Sequence, residues 1–344
     1  MTFSQKIQVW YDKNKRDLPW RQSRDPYKIW LSEIMLQQTR VAQGTPYYLK
    51  FLENFPTVYD LAESSEEKVL KLWQGLGYYS RARNLHATAK TIVDDYGGNF
   101  PDTYAGLLKL KGVGDYTASA IASICFDKLE PVVDGNVYRV LSRYFGIDKP
   151  INSSDGIKYF KKLAREVMDT KNVRDYNQGI MEFGAIQCTP KAPYCLHCPL
   201  SSGCVALQKN SVHLLPVKLN KTKVRKRYFN YLVPLSQNGN TLLRQRIGKG
   251  IWQNLWEFPL YESEHSLTLD QLKQNMNDYP ALRGFSEISR YNDTPIVHKL
   301  SHQHLFTTFW IVRIAHLHEG ISFNKVEEYA VPVLIADFLK SFMD

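Results

Sequence analysis

Two carboxylates and four thiols carry the chemistry most open to this 344-residue chain. Cys188, Cys195, Cys198 and Cys204 read C-x6-C-x2-C-x5-C. Four thiolates so close in sequence can converge on one metal centre, and the spacing by itself leaves zinc and an iron–sulfur cluster both open. Disulfides are not expected, because the first residues, Met1-Thr2-Phe3-Ser4-Gln5-Lys6, lack the apolar core of a secretory signal. Cys125 stands alone in the apolar run 120–126 and reads as core packing. Glu33 shares a stripe with Ile29 and Leu36 at i, i+4, i+7, the spacing of a buried helical face. A desolvated carboxylate there favours its protonated form at neutral pH. Asp134 follows Pro131-Val132-Val133 and precedes Gly135-Asn136-Val137, the place of a helix cap. A protonated glutamate beside an ionised aspartate is the pairing that glycosidic bond cleavage uses.

A second signal is Leu110-Lys111-Gly112-Val113-Gly114-Asp115-Tyr116-Thr117-Ala118. Gly112 and Gly114 flank Val113 in what reads as a tight turn between two helices, with glycine allowing positive φ and close backbone approach. The amides that follow open a helix, and free amides at a helix N-terminus suit a nucleic-acid phosphate. This is the helix-hairpin-helix pattern.

The elements around these residues read as helical through the first two thirds of the chain. Asp25-Pro26 starts one helix, with Asp as cap and Pro in the first turn, and Ser64-Ser65-Glu66-Glu67 starts another with acidic residues near its N-terminus. Asp102 and Asp155 stand before further helical patterns. Residues 218–227 carry six basic residues and no acidic one, and read as a linker. Beyond it the pattern changes to α+β. Residues 228–235 form a strand, 241–246 its hairpin partner through Asn238-Gly239-Asn240, 307–315 a further strand, and 329–340 a late helix. The expected domains are 1–217, helical, and 228–344, α+β, joined by 218–227. A formal net charge of +10 and a pI near 9.2 suit a polyanionic partner. No apolar run approaches the roughly 20 residues that span a bilayer.

Trp30-Leu31-Ser32-Glu33-Ile34-Met35-Leu36-Gln37-Gln38-Thr39 resembles the catalytic-helix signature of MutY-type adenine DNA glycosylases. Gly75-Leu76-Gly77-Tyr78-Tyr79-Ser80-Arg81-Ala82-Arg83-Asn84, the hairpin, Val133-Asp134-Gly135-Asn136-Val137 and the cysteine array follow in the family's order. The resemblance covers most of 10–204. It implies an endonuclease III-like, helix-hairpin-helix all-α fold with a 4Fe–4S cluster rather than zinc, followed by a Nudix-like α+β recognition domain.

The resemblance also implies a reaction. Adenine mispaired with 8-oxoguanine, or with G, is flipped out of double-stranded DNA and its N-glycosidic bond is hydrolysed, which initiates base excision repair. Glu33 would protonate adenine N7, and Asp134 would steady or capture the sugar cation, with Tyr116 and Asn136 orienting them. Tyr116 occupies the slot where lyase-competent relatives carry lysine, so the enzyme would be monofunctional. Arg16, Leu18, Trp20, Arg21 and Gln178 would form the adenine pocket, while Gln38 and Tyr78 would wedge the stack. Gly112, Val113 and Gly114 would meet a phosphate. Ser301 and His302 match the family's lesion-reading loop, except that Leu300 replaces its usual Phe. The protein would act as a monomer in the cytoplasm, at the nucleoid in a bacterium.

Trp256-Glu257-Phe258-Pro259 resembles the Nudix core, but the magnesium-binding Arg-Glu-x-x-Glu-Glu helix does not follow, so no nucleotide hydrolysis is expected. A chelating pair at His302 and His304, on one face of a strand, is the weakest metal candidate. The rival readings are an endonuclease III-like enzyme for oxidised pyrimidines and a non-catalytic iron–sulfur DNA-binding protein. Tyr116 and the C-terminal domain argue against the first. Glu33 and Asp134 argue against the second.

Overall fold

A computed structural model of the chain describes residues 1–219, 224–275, 279, 282–317 and 319–343. They gather in two compact units, Met1–Glu63 with Asn84–Asn220, and Ser64–Arg83 with Lys221–Asp344. Part of the basic stretch expected as a linker, 220–223, lies outside the described residues.

The described residues of the first unit are helical. At its centre lies the helix Asp115–Phe126, in which every residue from Thr117 to Ile124 is buried. Most of these side chains are small (Thr117-Ala118-Ser119-Ala120-Ile121-Ala122-Ser123-Ile124), which lets neighbouring helices approach on all sides. The Ser119 and Ser123 hydroxyls are satisfied within the helix by the carbonyls of Asp115 and Ser119, at 2.8 and 2.7 Å. Pro26–Leu36 and Val173–Glu182 pack against this helix. Asp25 caps the former, accepting from the Tyr27 amide at 2.9 Å, with Pro26 in the first turn.

Gly112 and Gly114 play different parts in the hairpin. Gly112 has φ +79°, and a Cβ there would come within 2.8 Å of the Asn84 Cβ. Gly114 is extended at φ −92° and caps Asp115–Phe126, so only the first glycine is needed for a left-handed backbone.

In the second unit the main sheet of described strands runs in the order Leu260–Ser263, Arg225–Ser236, Gln303–Ile314, Phe285–Arg290, with Ile296–Lys299 also pairing on Gln303–Ile314. The two long strands are parallel and the other pairings antiparallel. Both faces are covered. Trp310 and Val312 join Leu232, Leu267, Leu272, Leu282 and Ile288 in one cluster. The ring of Phe309, on the opposite face, stacks on Phe338 of the helix Val333–Met343 with centroids 4.1 Å apart. The hairpin expected between 228–235 and 241–246 does not form. Leu260–Ser263 pairs with Tyr228–Tyr231 on one side of Arg225–Ser236 and Gln303–Ile314 with its full length on the other, and among the described residues 241–246 does not pair with it. Asn240–Thr241 pairs with Ile321–Ser322 instead, and Arg244–Gln245 with Trp256–Glu257.

Candidate active site

A cavity of about 200 Å³ opens in the first unit where Pro26–Leu36, Asp115–Phe126, Val173–Glu182 and the start of Gly135–Phe145 meet. Glu33, Asp134, Tyr116 and Asn136 line it together with Arg16, Leu18, Trp20, Arg21 and Gln178. Gln38 is not among the lining residues; it is exposed at the end of its helix with φ +59°.

Glu33 is 9% exposed. Burial pushes its carboxyl up to about 7, with Asp134 adding to the rise and Tyr116 and Arg21 opposing it. The Tyr116 hydroxyl has one proton and two acceptors in reach. Its contact with the Met181 sulfur is 3.2 Å, and it also hydrogen-bonds Glu33. A carboxylate is much the stronger acceptor, so the proton goes to Glu33 whenever Glu33 is ionised. Burial and the two carboxylates hold the Tyr116 phenol well above its ordinary range.

Asp134 caps the helix Gly135–Phe145. Its Oδ1 accepts from the amides of Asn136 and Val137 at 2.9 and 2.8 Å, and its Oδ2 accepts from Asn136 Nδ2 at 2.7 Å. Burial raises its carboxyl above the usual range, while these donors and Arg139 pull it back. Among the described residues Glu33 has no comparable set of backbone donors, and that contrast separates the two acids. Asn177 supports the approach to Asp134, donating to the Glu130 carbonyl and the Ser123 hydroxyl, each at 2.8 Å. Gly184 leaves room for Asn136, since a Cβ there would sit 2.6 Å from the Asn136 Cβ.

The polar rim of the cavity is organised by Glu182, which is 1% exposed. Arg16 binds it in a fork, Nε and Nη2 each at 2.7 Å, and Arg21 Nη2 donates at 2.7 Å. Burial favours a higher pKa, but these donors outweigh it and hold Glu182 at about 2. Gln178 accepts from the Tyr11 hydroxyl at 2.9 Å through its amide oxygen, which leaves its NH2 group as a donor toward the cavity. Glu182 stands four residues after Gln178 in the same helix. Their i, i+4 spacing, which puts them on one helical face, was the signal available.

The helix that Asp134 caps also reaches the cysteines. Arg139 donates to Asn136 Oδ1 at 2.8 Å, to the Gly184 carbonyl at 2.6 Å and to the Cys188 carbonyl at 2.7 Å. Arg143 donates to the carbonyls of Thr189, Pro190, Val212 and Leu215, and to the Cys188 sulfur at 3.4 Å. Cys188, Cys195, Cys198 and Cys204 are free and half-buried. Burial pushes the last three thiols up, Cys198 to about 11, and each also feels the charge of Cys188. Among the described residues no three His, Cys, Asp or Glu side chains are set up to hold a single ion. A four-iron cluster asks for something else, because each thiolate binds a different iron and the cradle is wider. Four half-buried thiols in one loop, with Arg143 beside Cys188, fit that donor set.

At the hairpin, the Val113 amide is taken by the Leu110 carbonyl at 3.1 Å, so it is not an outward donor. The amides of Gly112 and Gly114 have no partner among the described residues and can meet an anion.

The second unit has its own cavity, of about 390 Å³, with Tyr78, Arg83, Ile251, Trp252, Ser301 and His302 among its lining. Tyr78 is 51% exposed, at φ +49°, and its hydroxyl lies 2.7 Å from Ser301 Oγ. Arg81 stacks over both Trp73 and Tyr78. His302 precedes the strand Gln303–Ile314, so it does not share a strand face with His304 as the chelating pair would require.

A buried pair of acids beside a helix-hairpin-helix turn and a four-cysteine loop, with a Nudix-like sheet in the same chain, defines a base-excision glycosylase class. The model of the "HhH-GPD superfamily base excision DNA repair protein" family matches residues 31–176, and that of the NUDIX domain matches 230–341. A thermostable thymine-DNA glycosylase of known structure is 33% identical, with a TM-score of 0.56 over 60% of this chain and 95% of that one. The adenine DNA glycosylase of Buchnera aphidicola subsp. Acyrthosiphon pisum is 34% identical over 325 residues, 94% of this chain and 89% of its own. The Homo sapiens adenine DNA glycosylase is 46% identical over 209 residues, 58% of this chain and 38% of its own. The chain belongs to the adenine DNA glycosylase family.

Proposed function

We propose that the chain excises adenine mispaired with 8-oxoguanine, or with G, from double-stranded DNA by hydrolysing the N-glycosidic bond, and so initiates base excision repair. The observation that carries this reading is the pair of acids in one cavity, with Glu33 raised to about 7. A carboxyl titrating there is still substantially protonated at neutral pH and can act as a general acid.

An adenine must leave the stack before it can enter such a cavity. Leu18 and Trp20 offer apolar walls to its ring, and the Gln178 NH2 a donor to its edge. The Glu33 proton passes to N7, the N9–C1′ bond breaks, and its electron pair stays with the departing base. The sugar becomes an oxocarbenium-like cation, which the Asp134 carboxylate steadies or captures. Glu33, now ionised, accepts a proton from the attacking water, and Tyr116 stabilises that ionised form.

Tyr116 cannot form a Schiff base, and neither Lys109 nor Lys111 lines the cavity, which supports a monofunctional enzyme leaving an abasic site. Cys188, Cys195, Cys198 and Cys204 would hold a 4Fe–4S cluster, which when bound braces the loop they belong to. Arg139 and Arg143 keep the start of that loop against the helix carrying Asp134. The free hairpin amides suit a DNA phosphate. Tyr78 and Ser301 read the base opposite adenine. The protein works as a monomer in the cytoplasm, at the nucleoid in a bacterium.

The test is a gel assay with alkali treatment on duplexes carrying A opposite 8-oxoguanine, A opposite G, or thymine glycol. Cleavage of the two adenine mispairs is expected. Cleavage of the thymine glycol duplex alone would end the adenine reading.

A further inference from the structure

The second cavity has a wall whose backbone is unusual. The segment from Gly250 to Leu255 contains Gly250 at φ +149°, Trp252 at +59° and Asn254 at +66°. A left-handed Trp is rare, so the rest of the structure must over-determine this loop. Part of the restraint is local. Arg246 N donates to the Leu255 carbonyl at 2.8 Å, and Asn254 N to the Arg246 carbonyl at 2.9 Å. A further part comes from the Ser64–Arg83 segment of the same unit. Asn254 Nδ2 donates to Glu66 Oε1 at 2.6 Å, and Arg83 Nη1 donates to the Gln253 carbonyl at 2.9 Å. Next along, Trp256 Nε1 donates to Glu67 Oε1 at 3.1 Å. Glu66 opens the helix Glu66–Trp73, whose other end leads to Tyr78. One short segment therefore carries the exposed tyrosine on one wall and pins the opposite wall, Gly250, Ile251 and Trp252, through Glu66 and Arg83.

We propose that Glu66 is a positioning residue for recognition of the base opposite adenine: by holding Asn254 it fixes the Gly250–Trp252 wall against Tyr78 and Ser301. It touches no DNA in this role and lines neither cavity. The inference rests on the reading of the second cavity as the lesion-recognition site.

The test uses the full-length protein and single-turnover excision of A opposite 8-oxoguanine and of A opposite G. Glu66→Ala removes the acceptor. Asn254→Gly removes the donor while keeping a residue that tolerates positive φ. Each is expected to lower the preference for 8-oxoguanine over G by roughly three- to tenfold, the worth of one hydrogen bond, with the rate against G unchanged. Glu66→Gln keeps an acceptor oxygen and should restore the preference. A merely structural loss at the helix start would lower both rates together and would overturn the inference, as would an unchanged preference in Asn254→Gly or a loss in Glu66→Gln as deep as in Glu66→Ala. Ser301→Ala separates the two layers. If it lowers the preference and the Glu66 and Asn254 variants do not, the positioning role alone falls. If Ser301→Ala also leaves the preference intact, the recognition site falls with it.

Discussion

The two cavities differ in how they use polar groups. In the first unit, about 200 Å³ is lined by three acids in three environments: Glu33 buried and raised to about 7, Asp134 held by three N–H donors, and Glu182 forked by two arginines and held at about 2. In the second, about 390 Å³ is lined by an exposed tyrosine, a serine hydroxyl and a tryptophan on a left-handed loop, with no buried carboxylate. Burying an acid is costly; Glu182 offsets the cost with two arginines, whereas Glu33, left without such a partner, keeps a proton it can give up. Recognition of a base needs surface and one or two hydrogen bonds, which an open cleft supplies. Chemistry and selectivity should therefore fail separately when the two sites are altered.

The largest separation is expected from Glu33→Gln. It should keep duplex binding and lose about 10²- to 10⁴-fold in single-turnover excision of both adenine mispairs, the range for a general acid. Excision at the wild-type rate would remove Glu33 from the mechanism. Next comes Glu182→Ala, which leaves Arg16 and Arg21 facing a buried gap. A loss of about 3 kcal/mol in unfolding free energy is expected from denaturant titration, and an unchanged midpoint would show that the fork is only ornamental.

Glu33 also has a stability signature. Its carboxyl titrates near 7 when folded against 4.5 as a free side chain, so between those values the folded protein holds a proton that the unfolded chain has released. The group's contribution to stability is complete below about 4.5 and is lost as pH rises through 7, a cost on the order of 3 kcal/mol. Glu33→Gln should thus melt above wild type at pH 8 and show little difference at pH 4. Equal melting at both values would mean that burial of Glu33 carries no charge penalty. The smallest effect belongs to the second cavity. Ser301→Ala should reduce discrimination between 8-oxoguanine and G by roughly three- to tenfold, leaving excision opposite G alone.

Much of the first unit was legible because its signals are local. The Ile29–Glu33–Leu36 stripe, the Asp134 cap and the hairpin glycines each depend on residues within a turn or two of one another, where helical periodicity and cap chemistry operate. Glu182 was missed as a site residue because its partners, Arg16 and Arg21, lie 166 and 161 residues away, and no spacing rule reaches that far. The glycines were legible by type but not by role, since only Gly112 takes positive φ. In the second unit the strands themselves could be read, but not which strand pairs with which. The apolar run in 228–235 suits any neighbour, and its partners are Leu260–Ser263 and the parallel Gln303–Ile314. That Ser64–Arg83 would group with the C-terminal residues has no local signal at all, because it depends on contacts such as Glu66 with Asn254.

The pH dependence of kcat/KM for adenine excision opposite 8-oxoguanine, measured on the wild-type protein, tests the role of Glu33 most directly, because that profile reports the free enzyme's essential acid. With Glu33 delivering the proton, excision holds below neutrality and declines along an alkaline limb near pH 7. A rate that stays level up to pH 9 would mean that the leaving adenine takes its proton from somewhere else.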